Sequence, residues 1–388
     1  MKSSTGQRGR SIVCFSSNDW TDLPSSKLHI MRYLGRRDTV LYVETLGVRT
    51  PRVSGRDLRR AIQKLRLSMR GLANPESNIF VWSPLAIPFH GSRLSAWVNS
   101  RMLSLAIRPL MARLGMTRPI IWSYLPNAVD IIKRLPSSKI IYHCIDDYAA
   151  FTDVPAKAFH EAENRMLALA DLTVVSSRRL YELREKQARR ILYSPHGVNL
   201  EEIREGLRTN VPLSDIDAVR HPIAGFVGRI ADWIDLELIA ACAARMPTWS
   251  FVLVGPSNVS LEAYSRLPNV HFLGRKDHRL IPQYIQRFDV CLMPFVSNAL
   301  VESINPLKLY EYLAVGKPVV SVPMPELERM GNLVRTAVPE EFVEAIKDSY
   351  VTNNPSLERQ RIAYAGQRSW GAVAEEILTA VEGGGLEA

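Results

Sequence analysis

Four cysteines in 388 residues, Cys14, Cys144, Cys242 and Cys291, are widely scattered and form no CxxC pair. Three of them sit in apolar runs, so they read as buried reduced thiols, and neither a disulfide framework nor a zinc site has support. No GxGxxG fingerprint and no Walker lysine loop occurs, which leaves dinucleotide redox chemistry and P-loop hydrolysis without a site. No apolar run approaches the roughly 20 residues of a membrane-spanning helix. The opening MKSSTGQRGRSIVCF holds no signal-peptide core, so the expectation is a cytoplasmic protein. Acidic residues are also in short supply, 39 against 49 Lys and Arg, for a net charge of +10. That balance asks for an acidic partner: nucleic acid, an anionic membrane surface or a phosphorylated substrate.

What is present is the composition of a soluble globular chain, 46% apolar and 23% charged, long enough for two domains. Its first half alternates strand-like and helix-like runs. IVCFSS, VLYVE, IFVWSP, IIWSYL, KIIYHCID and LTVVSS read as strands, with SKLHIMRYLGRR as the first helix. The second half repeats the pattern with IAGFVG, SFVLVGP, VHFLG, DVCLMPF and PVVSVP. Such alternation predicts parallel sheets wrapped by helices. Between the halves, residues 194–222 are rich in turn formers and charge and read as a linker, and the end of the chain reads as one or two amphipathic helices.

The positive charge is not spread evenly. Arg52 to Gly71 is densely basic, with Leu58, Ile62, Leu65 and Met69 at helical spacing, and Arg93 to Met116 mixes Trp, Leu, Met and Arg in the same way. Each stretch fits an amphipathic helix on an anionic membrane surface. Each equally fits a helix packing its stripe on a sheet.

One stretch carries more chemistry than the rest. NPLKLYEYLAVGKPVV, Asn305 to Val320, predicts a helix of about three turns, with Asn305 as N-cap, Pro306 at the first helical position, and Gly316 and Pro318 as the stop. It lies between two buried strands, so its N-terminus points at the crevice beyond the strand ends, where an anion is favoured. Lys308 and Glu311, three apart, share one face. They read either as a solvated ion pair or as a phosphate-binding lysine and a ribose-binding glutamate. IIYHCIDDY runs an apolar strand into Asp146 and Asp147, the place in an α/β sheet for a carboxylate that takes a proton; either could instead cap a helix or bind an arginine. Asp215-Ile216-Asp217 spells a metal-binding DxD, but in the linker it reads as surface charge.

Taken together, the segments FVGRIADWIDLELIAACAARMPTWSFVLVGP, NVHFLGRKDHRLIPQYIQRFDVCLMPF and NPLKLYEYLAVGKPVV resemble the donor-binding domain of GT-B-fold glycosyltransferases. They are most similar to family 4-like bacterial enzymes of extracellular polysaccharide assembly, the teichuronic-acid type included. SSNDWTDLPSSKLH, VLYVETLGVRTP and IIYHCIDDYAAF resemble that group's first domain, and SSNDW and YHCIDDY bear a fainter likeness to the glucuronosyltransferase of xanthan assembly. The resemblance implies an α/β GT-B architecture of two facing Rossmann-like domains with a central cleft. Residues 1–198 would bind the acceptor, residues 199–370 the nucleotide-sugar donor, and residues 371–388 would form a C-terminal helix returning to the first domain.

It implies a UDP- or GDP-linked sugar as donor, a lipid-linked or growing surface polysaccharide as acceptor, no metal and no cofactor. It places Gly228, Arg229, Arg275, Lys276, Asn305, Lys308 and Glu311 at the donor, with Arg229 and Lys308 stabilising the departing diphosphate. If the reaction inverts, the carboxylate at the end of IIYHCIDDY that takes the acceptor's proton is Asp146, with Asp147 second. The first domain would bring the enzyme to the inner face of the membrane as a peripheral protein. Two departures stand out: Ser303 occupies the position eight before Glu311 where the pattern has glutamate, and Ser16 to Asp19 replace a glycine-rich loop. The first leaves retention or inversion of the anomeric centre open. A nucleotide-sugar epimerase of the same fold is the rival enzyme, and a catalytically inactive sugar-nucleotide scaffold or a basic nucleic-acid- or membrane-binding protein the rival without chemistry. Nucleic acid would leave Lys308 and Glu311 without a role, so it is not expected as a partner.

Overall fold

A computed structural model of the chain describes residues 9–22, 24–46, 71–85, 93–151, 154–209 and 211–383. The basic stretch that begins at Arg52 lies outside the described residues apart from Gly71. The chain divides into two compact units, one running up to Pro195 and resumed from Val373, the other spanning His196–Ala372.

The first unit is built on an eight-stranded sheet of order β3-β4-β2-β1-β5-β6-β7-β8. Its strands are β1 (Ser11–Phe15), β2 (Thr39–Val43), β3 (Ala73–Glu76), β4 (Ile79–Trp82), β5 (Ile120–Ser123), β6 (Lys139–Cys144), β7 (Leu172–Val175) and β8 (Ile191–Tyr193). All neighbours run parallel except β3 and β4. The central strands are buried on both faces, which is why they read as continuous apolar runs rather than alternating ones. The two edge strands escape such a reading: ANPE is largely exposed, and ILY is three half-buried residues. Helix α1 (Ser26–Gly35) seals the sheet with Leu28, Met31 and Leu34, spaced to share one face. Helices α2 (Arg93–Arg113), α3 (Ala156–Leu169) and α4 (Arg178–Arg184) follow. From the chain end, Glu382 takes Arg10 at 2.6 Å, Glu376 accepts the Ser194 hydroxyl at 2.7 Å, and Glu375 pairs with Arg37.

The second unit holds a six-stranded, wholly parallel sheet of order β11-β10-β9-β12-β13-β14. Its strands are β9 (Ile223–Val227), β10 (Ser250–Val254), β11 (Val270–Gly274), β12 (Val290–Met293), β13 (Val319–Ser321) and β14 (Val334–Thr336). The strand order reverses where β9 meets β12, and in a sheet of this kind the crevice beyond the strand ends at that point is where ligands bind. The expected linker is corrected here. Its residues form α5 (Leu200–Thr209) and α6 (Ser214–Asp217), which belong to the second unit. The reason is apolar spacing hidden among charges: Ile203, Leu213 and Ile216 are buried in the second unit's core.

Candidate donor site and acidic turn

The ends of β9, β10 and β11 are zipped together by backbone bonds. Gly228 N–H donates to Val254 O and Gly255 N–H to Gly274 O, each at 2.9 Å. A Cβ at position 255 would stand 1.8 Å from the Gly228 carbonyl oxygen, so only glycine lets these two turns touch. The result is a ledge of backbone without side-chain bulk at the switch point. Arg229 leaves it exposed, with Asn258 Oδ1 at 3.4 Å.

Helix α8 (Leu307–Ala314) stands beside that ledge. It is two turns long, and its N-cap is Pro306 with no side-chain bond, so the expected capping role of Asn305 is not what the structure has. Asn305 is buried and donates its amide to Glu326 Oε2 at 3.0 Å, because a carboxylate 21 residues later outcompetes the local helix end. Leu309, Tyr310, Tyr312 and Leu313 are buried, and the Tyr312 hydroxyl accepts Val227 N–H at 2.8 Å, tying the helix to the end of β9. Lys308 and Glu311 are left on the remaining face, Nζ to Oε2 3.0 Å, about a quarter exposed or less. No acidic residue occupies the first turn, so the free N–H groups there keep their affinity for an anion. Just upstream, Ser303 is buried with its hydroxyl turned onto Leu300 O at 2.8 Å, while Glu302 is exposed.

The loop after β11 sends its cations in different directions. Arg275 is exposed, whereas Lys276 pairs with Asp215 at 2.6 Å, and Tyr284 donates to the same carboxylate at 3.0 Å. Asp217 takes Arg287 at 2.8 Å, so the Asp215–Asp217 pair serves as an anchor for α6 rather than as loose surface charge in a linker. Two residues on from Lys276 is a histidine that sequence reasoning passed over. His278 Nδ1 meets Glu202 Oε1 at 2.6 Å, and that bond raises the imidazole's affinity for its proton against burial, which lowers it; Glu311 raises it further and Lys308 lowers it. The signal was a histidine in the loop already singled out, but its partner sat in a segment read as linker.

In the first unit, β6 delivers Asp146 and Asp147 to very different surroundings. Asp147 Oδ1 takes Arg184 at 3.0 Å; the same guanidinium holds buried Glu163 at 3.0 Å, which also accepts the Tyr142 hydroxyl at 2.7 Å. Asp146 is half-buried, and that burial raises its carboxyl, partly countered by Lys27. Lys27 is 5% exposed on the first turn of α1, where its own burial lowers it, and it donates to Asn18 Oδ1 at 2.7 Å. Ser16 accepts the Tyr42 hydroxyl at 2.6 Å. His196 is buried with its ring 5.9 Å from that of Trp370. Among the described residues, no three of His, Cys, Asp and Glu converge, and no helix is long and apolar enough to cross a membrane.

Residues 221–350 match the family model described as Glycosyl transferases group 1. Over 282 residues, 67% of this chain and 71% of the relative, the sequence is 26% identical to "Putative teichuronic acid biosynthesis glycosyltransferase TuaH" of Bacillus subtilis (strain 168). Sucrose-phosphate synthase from Thermosynechococcus elongatus has a similar structure, with a TM-score of 0.69 at 16% identity, over 96% of this chain and 98% of that one. An E. coli trehalose-6-phosphate structure bound with UDP-2-fluoro glucose gives 0.66 at 14%, over 96% and 99%. At such identities the structural likeness speaks for the fold. Two α/β units, a glycine ledge beside a lysine–glutamate helix, and the family match over that same unit lead to one conclusion: residues 221–350 form a glycosyl transferases group 1 domain, within a chain that has the GT-B fold.

Proposed function

We propose that this enzyme moves a sugar from a UDP- or GDP-linked donor to a lipid-linked or growing cell-surface polysaccharide, on the cytoplasmic face of the membrane and without a metal ion. The observation that carries the reading is the Lys308–Glu311 pair on the open face of α8, beside the β9–β12 switch point. A lysine there can neutralise a diphosphate and a glutamate can accept both hydroxyls of a ribose. Arg229, exposed on the glycine ledge with Asn258 Oδ1 at 3.4 Å, is a second fixed cation for the leaving group. In the transfer, the acceptor oxygen bonds to the anomeric carbon, the bond from that carbon to the diphosphate breaks, and Asp146 takes the acceptor's proton. The teichuronic-acid relative supports a polysaccharide acceptor.

The test is a thermal-shift screen without added metal against UDP, GDP and their common sugars. A ligand at a hundred times its dissociation constant stabilises by about 2.7 kcal/mol. One nucleotide series should raise the melting temperature, and Lys308→Ala and Glu311→Ala should each abolish the rise. Unchanged affinity in both variants would remove the site assignment.

A further inference from the structure

The Glu202–His278 pair is built with more care than a surface ion pair needs. Glu202 lies in the first turn of α5, where the helix dipole favours an acidic side chain. Its second oxygen accepts Asn199 Nδ2 at 3.0 Å, and its own N–H goes to Asn199 Oδ1 at 3.3 Å, so the carboxylate is fixed from two sides. Histidine and glutamate are 30% and 25% exposed. A carboxylate on Nδ1 fixes the ring's orientation and leaves Nε2 as the ring's other donor. His278 opens the 3-10 turn His278–Leu280, which packs on α5 and on α7 (Ile281–Arg287), and α5 in turn packs on α8. The charges that act on the ring are Glu202 from α5, Lys308 and Glu311 from α8, and its neighbour Asp277, which Arg279 binds at 2.7 Å; Glu205 of α5 acts on Arg279. Arg287, at the far end of α7, is spent on Asp217.

We propose that His278 is a further cation of the donor site, which binds the diphosphate of a nucleoside-diphosphate sugar together with Lys308 while Glu202 holds its ring charged and oriented. This rests on reading Lys308 and Glu311 as the donor site. Lys308 is paired with Glu311 and His278 with Glu202, so each of these two cations is held in place by a glutamate. Protonated histidine favours the diphosphate, and by reciprocity the bound diphosphate favours the proton. Donor affinity is therefore highest while the imidazole is charged and falls as pH rises through its raised titration.

The experiment is calorimetric binding of UDP-glucose and GDP-mannose from about pH 6 to about pH 8.5, a range in which their phosphates do not titrate but a histidine does. The wild type should lose about tenfold in affinity across the range, the size of a one-unit shift in the histidine's titration on binding. His278→Gln should bind weakly at the acid end and show no pH dependence. Glu202→Gln should bind normally at the acid end, with its transition moved to lower pH; this arm stands even where His278→Gln fails to fold. A flat wild-type profile, or a slope retained in His278→Gln, overturns the proposal. Lys308→Ala and Glu311→Ala separate the two readings. Lost binding in these variants with a flat wild-type profile removes His278 alone, whereas normal binding in them, or silence of both sugar nucleotides at pH 6, removes the donor site and the inference with it.

Discussion

Asp146 and Asp147 are chain neighbours with different chemistry. Asp147 is committed to Arg184, whose guanidinium holds its Oδ1 at 3.0 Å. Asp146 has no ion pair within 4.0 Å among the described residues, and its burial raises its proton affinity, which is what a general base requires. Asp146→Asn should therefore lower kcat by about 100-fold or more. Asp147→Asn should leave kcat within a few-fold and instead lower stability by about 1–2 kcal/mol, the cost of a charged hydrogen bond lost. Steady-state kinetics and melting curves on both variants check this, and equal losses of kcat would show that the turn acts as one unit. IIYHCIDDY marks the two carboxylates as candidates, Asp146 ahead of Asp147, but carries no physical ground for that order. The ranking depends on Arg184 and Lys27, which lie 37 positions after Asp147 and far before Asp146, and no local pattern links them.

Helix α8 shows how far element boundaries can be read and where reading fails. Its stop is local chemistry: Gly316 has φ +82°, its N–H bonds Leu313 O at 2.9 Å and Lys317 N–H bonds Tyr312 O at 3.1 Å, the two bonds of a Schellman end. Gly316→Ala must adopt that left-handed conformation with a Cβ 2.5 Å from Glu358 Cγ on α9 (Pro355–Gly366), so it should destabilise by at least about 1–2 kcal/mol, measurable by denaturant unfolding. A wild-type midpoint would mean the turn re-forms without glycine. The start of the helix was less legible, since Asn305 had a tertiary partner, Glu326, to answer to. The same limit hid α5 and α6. Their charged surfaces resemble a linker, and only the sheet on which Ile203 and Ile216 pack makes them helices of the second unit.

At the scale of the whole molecule, both parallel sheets follow from the alternation of apolar runs with helical ones, and the strands missed, β3, β8 and β14, are edges too short or too exposed to carry a pattern. Net charge is the other whole-molecule property, and α2 gives it a direction. Leu103, Ile107 and Met111, four apart, turn into the first unit's core, whereas Trp97 (51% exposed), Met102 (40%) and Leu105 (68%) face solvent. Arg101 lies 4.5 Å over the Trp97 ring, so the aromatic and the cation form one amphipathic contact. A helix that buries one stripe and still exposes large apolar groups beside arginine is suited to the boundary between headgroups and acyl chains. With a net charge of +10, the protein should sediment with vesicles containing phosphatidylserine, and not with neutral phosphatidylcholine, at low salt. Added salt should release it, because screening removes the long-range attraction. Trp97→Ser with Leu105→Ser should weaken that binding by about a hundredfold or more while leaving donor affinity intact, since the two changes remove roughly one buried aromatic and one aliphatic contact. Binding that ignores both vesicle charge and these two side chains would show that α2 is a packing helix and that the excess of lysine and arginine serves another anion.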